Sequence, residues 1–269
     1  MPSEKDIVGK ATRDALEIMK DAGFEIPDKV KVEVDPKLQF MGYSTKKGDA
    51  NIIVIARRAL GSGMVGGLLI HEMAHIYRTN TNHPSHNREL LNRVGHSIID
   101  KNHLTKNYQI RIIQQAVNNI QDLYADDLAF QAFSQSGTFP VDQAFNFFVS
   151  WINDKPLNSR NAKTAWMNIG IMLDNCFALS NMTRHNIPDP DNQAENKARK
   201  FLSQTNEQTK HEFEHFKNFM TNLKENTTEK EFEENLTNYL TRIMELARSC
   251  TYPNRKPRHS HTNEKRNCK

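Results

Sequence analysis

Five consecutive residues, His71-Glu72-Met73-Ala74-His75, have the types and the spacing of a metal site on a helix. Residues four apart on an α-helix lie on one face, one turn apart, so both imidazoles can reach the same metal ion. The Glu72 carboxylate directly follows the first histidine and lies beside the ion, where it can accept a proton from water. The pattern therefore predicts a metal ion bound by His71 and His75, with Glu72 as a general base.

The residues around the motif favour a buried helix. Met73 and Ala74 are helix formers, and the three residues before the motif are apolar: Leu68, Leu69 and Ile70. Because polar groups without partners are costly in a core, two histidines and a glutamate on such a helix indicate a specific role. The alternative is a helix whose polar residues are incidental.

Three β-strands are predicted before the motif helix. Valines alternate with charged residues over residues 30–35, which is typical of a half-buried strand. We expect a second strand over residues 38–45 and a third, more buried strand over residues 50–56. A Gly-rich segment, residues 59–67, leads from the third strand into the motif helix.

The rest of the chain is predicted to be mostly helical. Apolar residues recur at helical spacing over residues 3–22, 88–101, 107–134, 141–151 and 162–179. The proline-containing residues 185–192 are interpreted as a linker. Residues 196–249 are highly charged, with apolar residues at helical intervals, and predict one or two long amphipathic helices folded as a hairpin.

These elements predict an α+β fold in three parts. Residues 1–183 would form the core, a sheet of three or more strands packed on the H-E-x-x-H helix and on a second metal-site helix, with a helical extension. Residues 184–250 would form a charged helical appendage. Residues 251–269 would be a basic, disordered tail.

A zinc ion with an open position for water needs a third protein ligand, and an acidic segment offers one. Residues 122–129 read Asp-x-x-Ala-Asp-x-x-Ala on a helix. Together with H-E-x-x-H, this segment resembles the gluzincins, zincin metallopeptidases whose second helix often carries Glu-x-x-Ala-Asp-x-x-Ala. The resemblance, which covers about residues 30–130, implies Asp122 as the third ligand of Zn2+ and Asp126 as the partner of a ligating histidine. Aspartate is one methylene shorter than the glutamate of that family.

The helical wheel leaves more than one acidic residue open as the ligand. Asp122 and Asp126 share one face of the helix, opposite its apolar stripe, whereas Asp127 falls inside the stripe. If the helix is buried on all sides, Asp122 is favoured. If only the apolar face is buried, Asp127 is the better candidate. The remaining alternative is that all three are surface carboxylates.

His86, in the polar loop after the motif helix, is an alternative third ligand. The segment His86-Asn87-Arg88-Glu89-Leu90 resembles the SprT/Spartan pattern, in which a later histidine completes a site of three imidazoles. His83 is a weaker version of the same idea. We favour Asp122 because the acidic segment matches its family at several positions of a predicted helix.

Charge and composition limit which partners and which cellular compartment are expected. The net charge is +4, and six basic residues against one acidic residue give residues 251–269 a charge of +5, so the body is near −1. Nucleic acid is therefore expected only through the basic tail. No run approaches the 18 apolar residues of a membrane span, and no secretory signal is visible. Three widely separated cysteines do not suggest a disulfide framework, so a cytoplasmic protein is expected.

Three functional hypotheses follow from these features. The first is a zinc metallopeptidase that hydrolyses a peptide or protein substrate, with water activated by zinc and Glu72. The second is an inactive zincin-fold protein that binds metal and serves as an interaction module. The third is a SprT/Spartan-like, DNA-associated protease with His86 as the third ligand.

Overall fold

The computed structural model describes residues 3–26, 29–61, 63–138, 141–159 and 161–251. Within these ranges the chain forms one three-stranded sheet and nine α-helices. The α+β class and the small three-stranded sheet predicted from the sequence are confirmed. The basic tail predicted over residues 251–269 lies outside the described residues from position 252 onward.

Helix α1 spans Glu4–Asp21 and begins with a capping box. The Ser3 hydroxyl accepts a hydrogen bond from the Asp6 backbone N–H, and the Asp6 carboxylate accepts one from the Ser3 backbone N–H. After the helix, Gly23 has a φ of 81°, a left-handed conformation that glycine adopts without strain.

The sheet consists of β1 (Val30–Asp35), β2 (Gly42–Lys47) and β3 (Ala50–Ala56), in the order β1-β3-β2. The central strand β3 runs parallel to β1 and antiparallel to β2. Because β3 has a strand on each side and its faces are covered, six of its seven residues are buried. This agrees with the prediction that the third strand is the most buried.

The second strand begins later than predicted. The sequence pattern predicts it over residues 38–45, but β2 begins at Gly42. The backbone carbonyls of Leu38 and Gln39 accept hydrogen bonds from the Arg58 guanidinium instead of a neighbouring strand. At the predicted start of this strand, hydrogen bonds from a side chain therefore take the place of hydrogen bonds to a neighbouring strand.

The remaining helices follow in chain order. They are α2 (Val65–Asn80), α3 (Arg88–Lys101), α4 (Asn107–Ser136), α5 (Val141–Trp151), α6 (Ala162–Arg184), α7 (Gln193–Leu202), α8 (Glu207–Thr221) and α9 (Glu229–Thr251). Short 3-10 turns cover Arg57–Gly61, Pro84–His86 and Pro190–Asn192. None of the helices in the described ranges has the length and hydropathy that a membrane span requires.

The C-terminal region contains three helices, not the one or two predicted over residues 196–249. Capping residues explain the interruptions. Asn206 accepts a hydrogen bond from the Thr209 backbone N–H at the start of α8. Thr228 and Glu231 form reciprocal side-chain to backbone hydrogen bonds at the start of α9. Residues 222–228 thus form a loop, hereafter the α8–α9 loop.

Two clusters of buried apolar residues make up the core, and α4 belongs to both. Its first half, with Ile113 and Ile120, packs among helices α3 to α9. Its second half, with Leu128 and Ala129, packs among α1, the sheet and α2. The first of these clusters includes residues on both sides of position 184, where the sequence places a domain boundary. That division stays a prediction.

Candidate metal centre

The H-E-x-x-H motif lies in the middle of α2, on a helix as predicted. Met73 and Ala74 are fully buried in the cluster that joins α2 to α1, the sheet and α4. Glu72 is also buried, with 5% of its surface exposed. The two histidine rings are more open, with side-chain exposures of 24% for His71 and 17% for His75. The helix therefore buries one side and presents its imidazoles at a partly open surface.

Three potential ligand atoms converge at this surface. The Nε2 atoms of His71 and His75 are 3.1 Å apart, and the Nε2 atom of His75 is 3.3 Å from Oδ1 of Asp122. All three residues offer ligand atoms within 4.8 Å of one another. Ligands about 2.0–2.1 Å from a tetrahedral zinc ion lie about 3.3 Å from each other. The spacing of these atoms therefore fits a zinc ion.

Small residues between α2 and α4 explain how an aspartate reaches this position. Ala74 on α2 and Ala125 and Ala129 on α4 are all buried in one cluster. Because alanine side chains are short, the two helix backbones can approach closely. Such an approach would offset the methylene that Asp122 lacks relative to glutamate.

Asp126 orients the first histidine. Its Oδ1 atom is 2.7 Å from Nδ1 of His71, and the aspartate is buried. A carboxylate only accepts hydrogen bonds, so Nδ1 of His71 carries a proton and Nε2 is the atom that faces Asp122 and His75. The structure thus brings Asp122 and Asp126 to the motif one helical turn apart, in the arrangement that the gluzincin resemblance implies.

The electrostatics of this cluster favour a cation. Burial lowers the pKa of His71, but the charge and the hydrogen bond of Asp126, together with the charges of Glu72 and Asp122, outweigh it and raise the pKa to about 10. Burial raises the pKa of Asp126, although His71 opposes this shift. Three carboxylates around two imidazoles attract positive charge, which either a proton or a metal ion can supply.

His86 lies behind His75 and does not join the three converging atoms. Its Nε2 atom is 2.7 Å from Nδ1 of His75, on the side of the ring away from the convergence point. Burial, and then the charges of His75 and Arg78, hold the pKa of His86 well below its usual range. A neutral His86 is suited to orient His75.

Asp127 points away from the motif toward α6. It forms a salt bridge with Arg184, and its Oδ1 atom is 3.6 Å from Nε2 of His185. Successive residues of a helix are separated by about 100°, so Asp126 faces α2 while Asp127 faces α6. Burial raises the pKa of Asp127 despite the pairing with Arg184. The structure therefore separates Asp127 from the candidate site.

A buried arginine supports the site, and the sequence interpretation did not include it. The Arg78 guanidinium donates to the Tyr124 backbone carbonyl over 2.9 and 3.1 Å and contacts both carboxylate oxygens of Glu225 at 2.6 Å. The Tyr124 hydroxyl donates to the Lys224 carbonyl, and burial raises its pKa to about 12. Arg78 lies two helical turns after His71 and thus on the motif face, which is the signal that could have identified it.

The comparisons with known proteins give a family but no activity. The profile of a family of unknown function, DUF5781, matches residues 10–245, which include every residue of the candidate site. No curated protein and no solved structure matches the chain. Because the match covers most of the sequence, the chain belongs to the family of unknown function DUF5781.

Proposed function

We propose that the protein is a zinc-dependent metallopeptidase that hydrolyses peptide bonds. One observation carries the proposal: the ligand atoms of His71, His75 and Asp122 lie within 4.8 Å of one another, and the two measured separations, 3.1 and 3.3 Å, are close to those of a tetrahedral zinc site. The order of three strands, motif helix and acidic helix gives further support, because it agrees with a gluzincin-like core.

The donor set favours zinc over the common hard cations. Two imidazoles and one carboxylate suit zinc, whereas calcium and magnesium prefer sites made of oxygen ligands. The same donors also occur in non-haem iron oxygenases. The buried carboxylate of Glu72 next to His71 favours hydrolysis, because hydrolysis needs a base beside the metal.

Different residues of the chain have different roles in the proposed reaction. When bound, zinc would act as a Lewis acid that polarises the substrate carbonyl and lowers the pKa of water. Glu72 accepts the proton of the attacking water and returns it to the leaving amine. Asp126 holds the ring of His71 so that Nε2 stays directed at the site.

Strand β2 is the proposed binding edge for the substrate. It is an edge strand of the sheet and packs beside α2, where a Cβ atom on Gly42 would lie 3.4 Å from Leu68. An extended peptide can pair with such an edge through main-chain hydrogen bonds. Phe40, just before this strand, and Tyr43, within it, are exposed, with ring centroids 5.8 Å apart, and offer apolar contacts to substrate side chains.

The test combines metal analysis with hydrolysis of an unfolded protein. The wild-type chain is expected to purify with zinc, or to take it up stoichiometrically, and to cleave denatured casein. Glu72→Gln should keep zinc and lose about 10²–10⁴-fold in rate, since only the general base is removed. Glu17→Gln, on the exposed side of α1, is the matched control and should keep full activity.

Each contrary outcome has a distinct meaning. Hydrolysis that survives in Glu72→Gln would contradict the assigned base. Iron as the native metal would contradict the assignment of zinc. Zinc binding without cleavage of any unfolded substrate would support the alternative of an inactive interaction module.

A further inference from the structure

We propose that the α8–α9 loop sets the tautomer of the metal ligand His75 through a chain of hydrogen bonds. The chain runs from the Glu225 backbone carbonyl through His83, Ser85 and His86 to His75. The inference rests on the proposed metal site. It assigns positioning roles to residues that lie outside the motif, among them Glu225, which is 142 residues from His83 in the sequence.

The far end of the chain fixes its direction. Nδ1 of His83 accepts a hydrogen bond from the Ser85 backbone N–H over 3.3 Å, and Nε2 of His83 is 3.1 Å from the Glu225 carbonyl oxygen. A backbone N–H can only donate and a carbonyl oxygen can only accept. His83 must therefore carry its proton on Nε2 and a lone pair on Nδ1.

Each following bond then has one possible direction. The Ser85 hydroxyl is 2.7 Å from Nδ1 of His83, so it donates its single proton there. The same oxygen, 2.8 Å from Nδ1 of His86, must accept from that nitrogen. A neutral His86 consequently carries its proton on Nδ1 and a lone pair on Nε2.

The last bond reaches the metal ligand. Nε2 of His86 is 2.7 Å from Nδ1 of His75 and can only accept, so His75 donates from Nδ1. The lone pair of His75 is then on Nε2, the atom that faces His71 and Asp122. This is the tautomer that binds a metal ion through Nε2.

Burial and a salt bridge keep this chain in place. Ser85 has no exposed surface and His86 is buried, so bulk water cannot readily replace either link. Both carboxylate oxygens of Glu225 bind the buried Arg78 guanidinium, which fixes the residue whose carbonyl begins the chain. The Tyr124 hydroxyl also holds the loop at Lys224.

The test measures zinc affinity and imidazole tautomers in the full-length protein. Ser85→Ala removes the central hydroxyl, and His83→Phe keeps a ring beside Tyr124 while removing both nitrogens. Each should weaken zinc binding about 10–100-fold in a competition with a chelating dye. His96→Ala changes an exposed histidine on α3 and should leave the affinity unchanged.

Nitrogen-15 NMR of the histidine rings reports their tautomers, which a general loss of stability would not change. In the zinc-loaded wild-type protein, His83 should show the Nε2–H tautomer and His86 the Nδ1–H tautomer. An Nε2–H tautomer at His86, or unchanged zinc affinity in both folded variants, would overturn the inference. Wild-type protein with zinc and these tautomers but no hydrolysis would overturn only the peptidase proposal.

Discussion

The two histidines of the motif are supported by two different regions of the molecule. His71 donates directly to the buried carboxylate of Asp126 on α4, whereas His75 donates to the neutral ring of His86. The first support is one charge on a neighbouring helix, and it raises the pKa of His71 to about 10 despite burial. The second is a relay of neutral groups that ends on the α8–α9 loop. One candidate ligand therefore depends on local electrostatics, and the other depends on how a distant loop docks.

The largest expected effect separates a ligand from a supporting residue. Asp122→Ala should abolish stoichiometric zinc binding, because it removes one of three converging ligand atoms. His86→Ala should keep zinc with an affinity about 10–100-fold weaker, since His86 acts through His75. Both are measured as zinc per chain and as affinity in a chelator competition. Loss of metal in His86→Ala alone would restore the three-imidazole alternative.

The next effect compares the two supports directly. Asp126→Asn removes the negative charge next to His71 but keeps an acceptor, and we expect zinc affinity to fall by about 100-fold, the upper end of the usual range. Ser85→Ala interrupts only neutral hydrogen bonds. Its zinc affinity should therefore fall by about 10-fold, near the lower end of the usual range. Affinities measured side by side decide the ranking. A reversed order would mean that the relay matters more than the charge.

Asp127 provides the control for a neighbouring carboxylate outside the site. Asp127→Ala breaks the pair with Arg184, and breaking a buried pair costs about 3 kcal/mol in the free energy of unfolding. Zinc affinity should remain unchanged because Asp127 faces α6. Urea denaturation measures the first effect and chelator competition the second. A loss of zinc at full stability would put Asp127 back among the candidate ligands.

The smallest effect concerns His185, whose side chain is only 8% exposed and lacks such support. Nε2 of His185 has no hydrogen-bond partner, and the nearby Asp127 is engaged by Arg184. Burial, together with the Arg184 charge, therefore lowers the pKa of His185 to about 3. Between pH 3 and 6.5 the unfolded chain binds the proton and the folded chain does not, so stability falls as the pH falls through this range.

The experiment that tests this pH dependence uses a variant whose residue 185 cannot bind a proton. At pH 5.5 the loss from His185 amounts to about 1.4 kcal/mol relative to neutral pH. His185→Phe keeps the stacking on Phe130 and should lack this component, so its stability relative to wild type should rise by that amount on acidification. Urea denaturation at both pH values tests this. Parallel pH dependence of the two proteins would show that His185 does not stay neutral.

The sequence predicts the parts of the site that lie on regular elements. The spacing of His71 and His75 and the turn between Asp122 and Asp126 are helical, so one periodicity predicts which side chains face the site. The choice between Asp122 and Asp127 needs the packing of α4, which the wheel alone does not provide. The alanines that bring α2 close to α4 explain why the shorter acid reaches the site.

The chain of hydrogen bonds from Glu225 to His75 could not be predicted from the sequence, for a physical reason. Ser85 and His83 lie in a loop without periodicity, and their last partner is the Glu225 backbone, which any residue type could supply. The breaks at Asn206 and Thr228, by contrast, carry capping signals that could have divided residues 196–249 into separate helices. The start of β2 depends on Arg58, a partner about 20 residues away that strand patterns do not include.

The shared helix α4 has a consequence for cooperativity. The fully buried apolar residues of its first half, through Tyr124, belong to one cluster, and those of its second half, from Ala125 on, belong to the other. Asp122 and Asp126 lie on either side of this change. Because one continuous helix contributes to both clusters, melting either one removes packing from the other, and the two clusters should unfold together. The candidate site at the junction would then be lost in that same transition, without a stable partly folded form that keeps it.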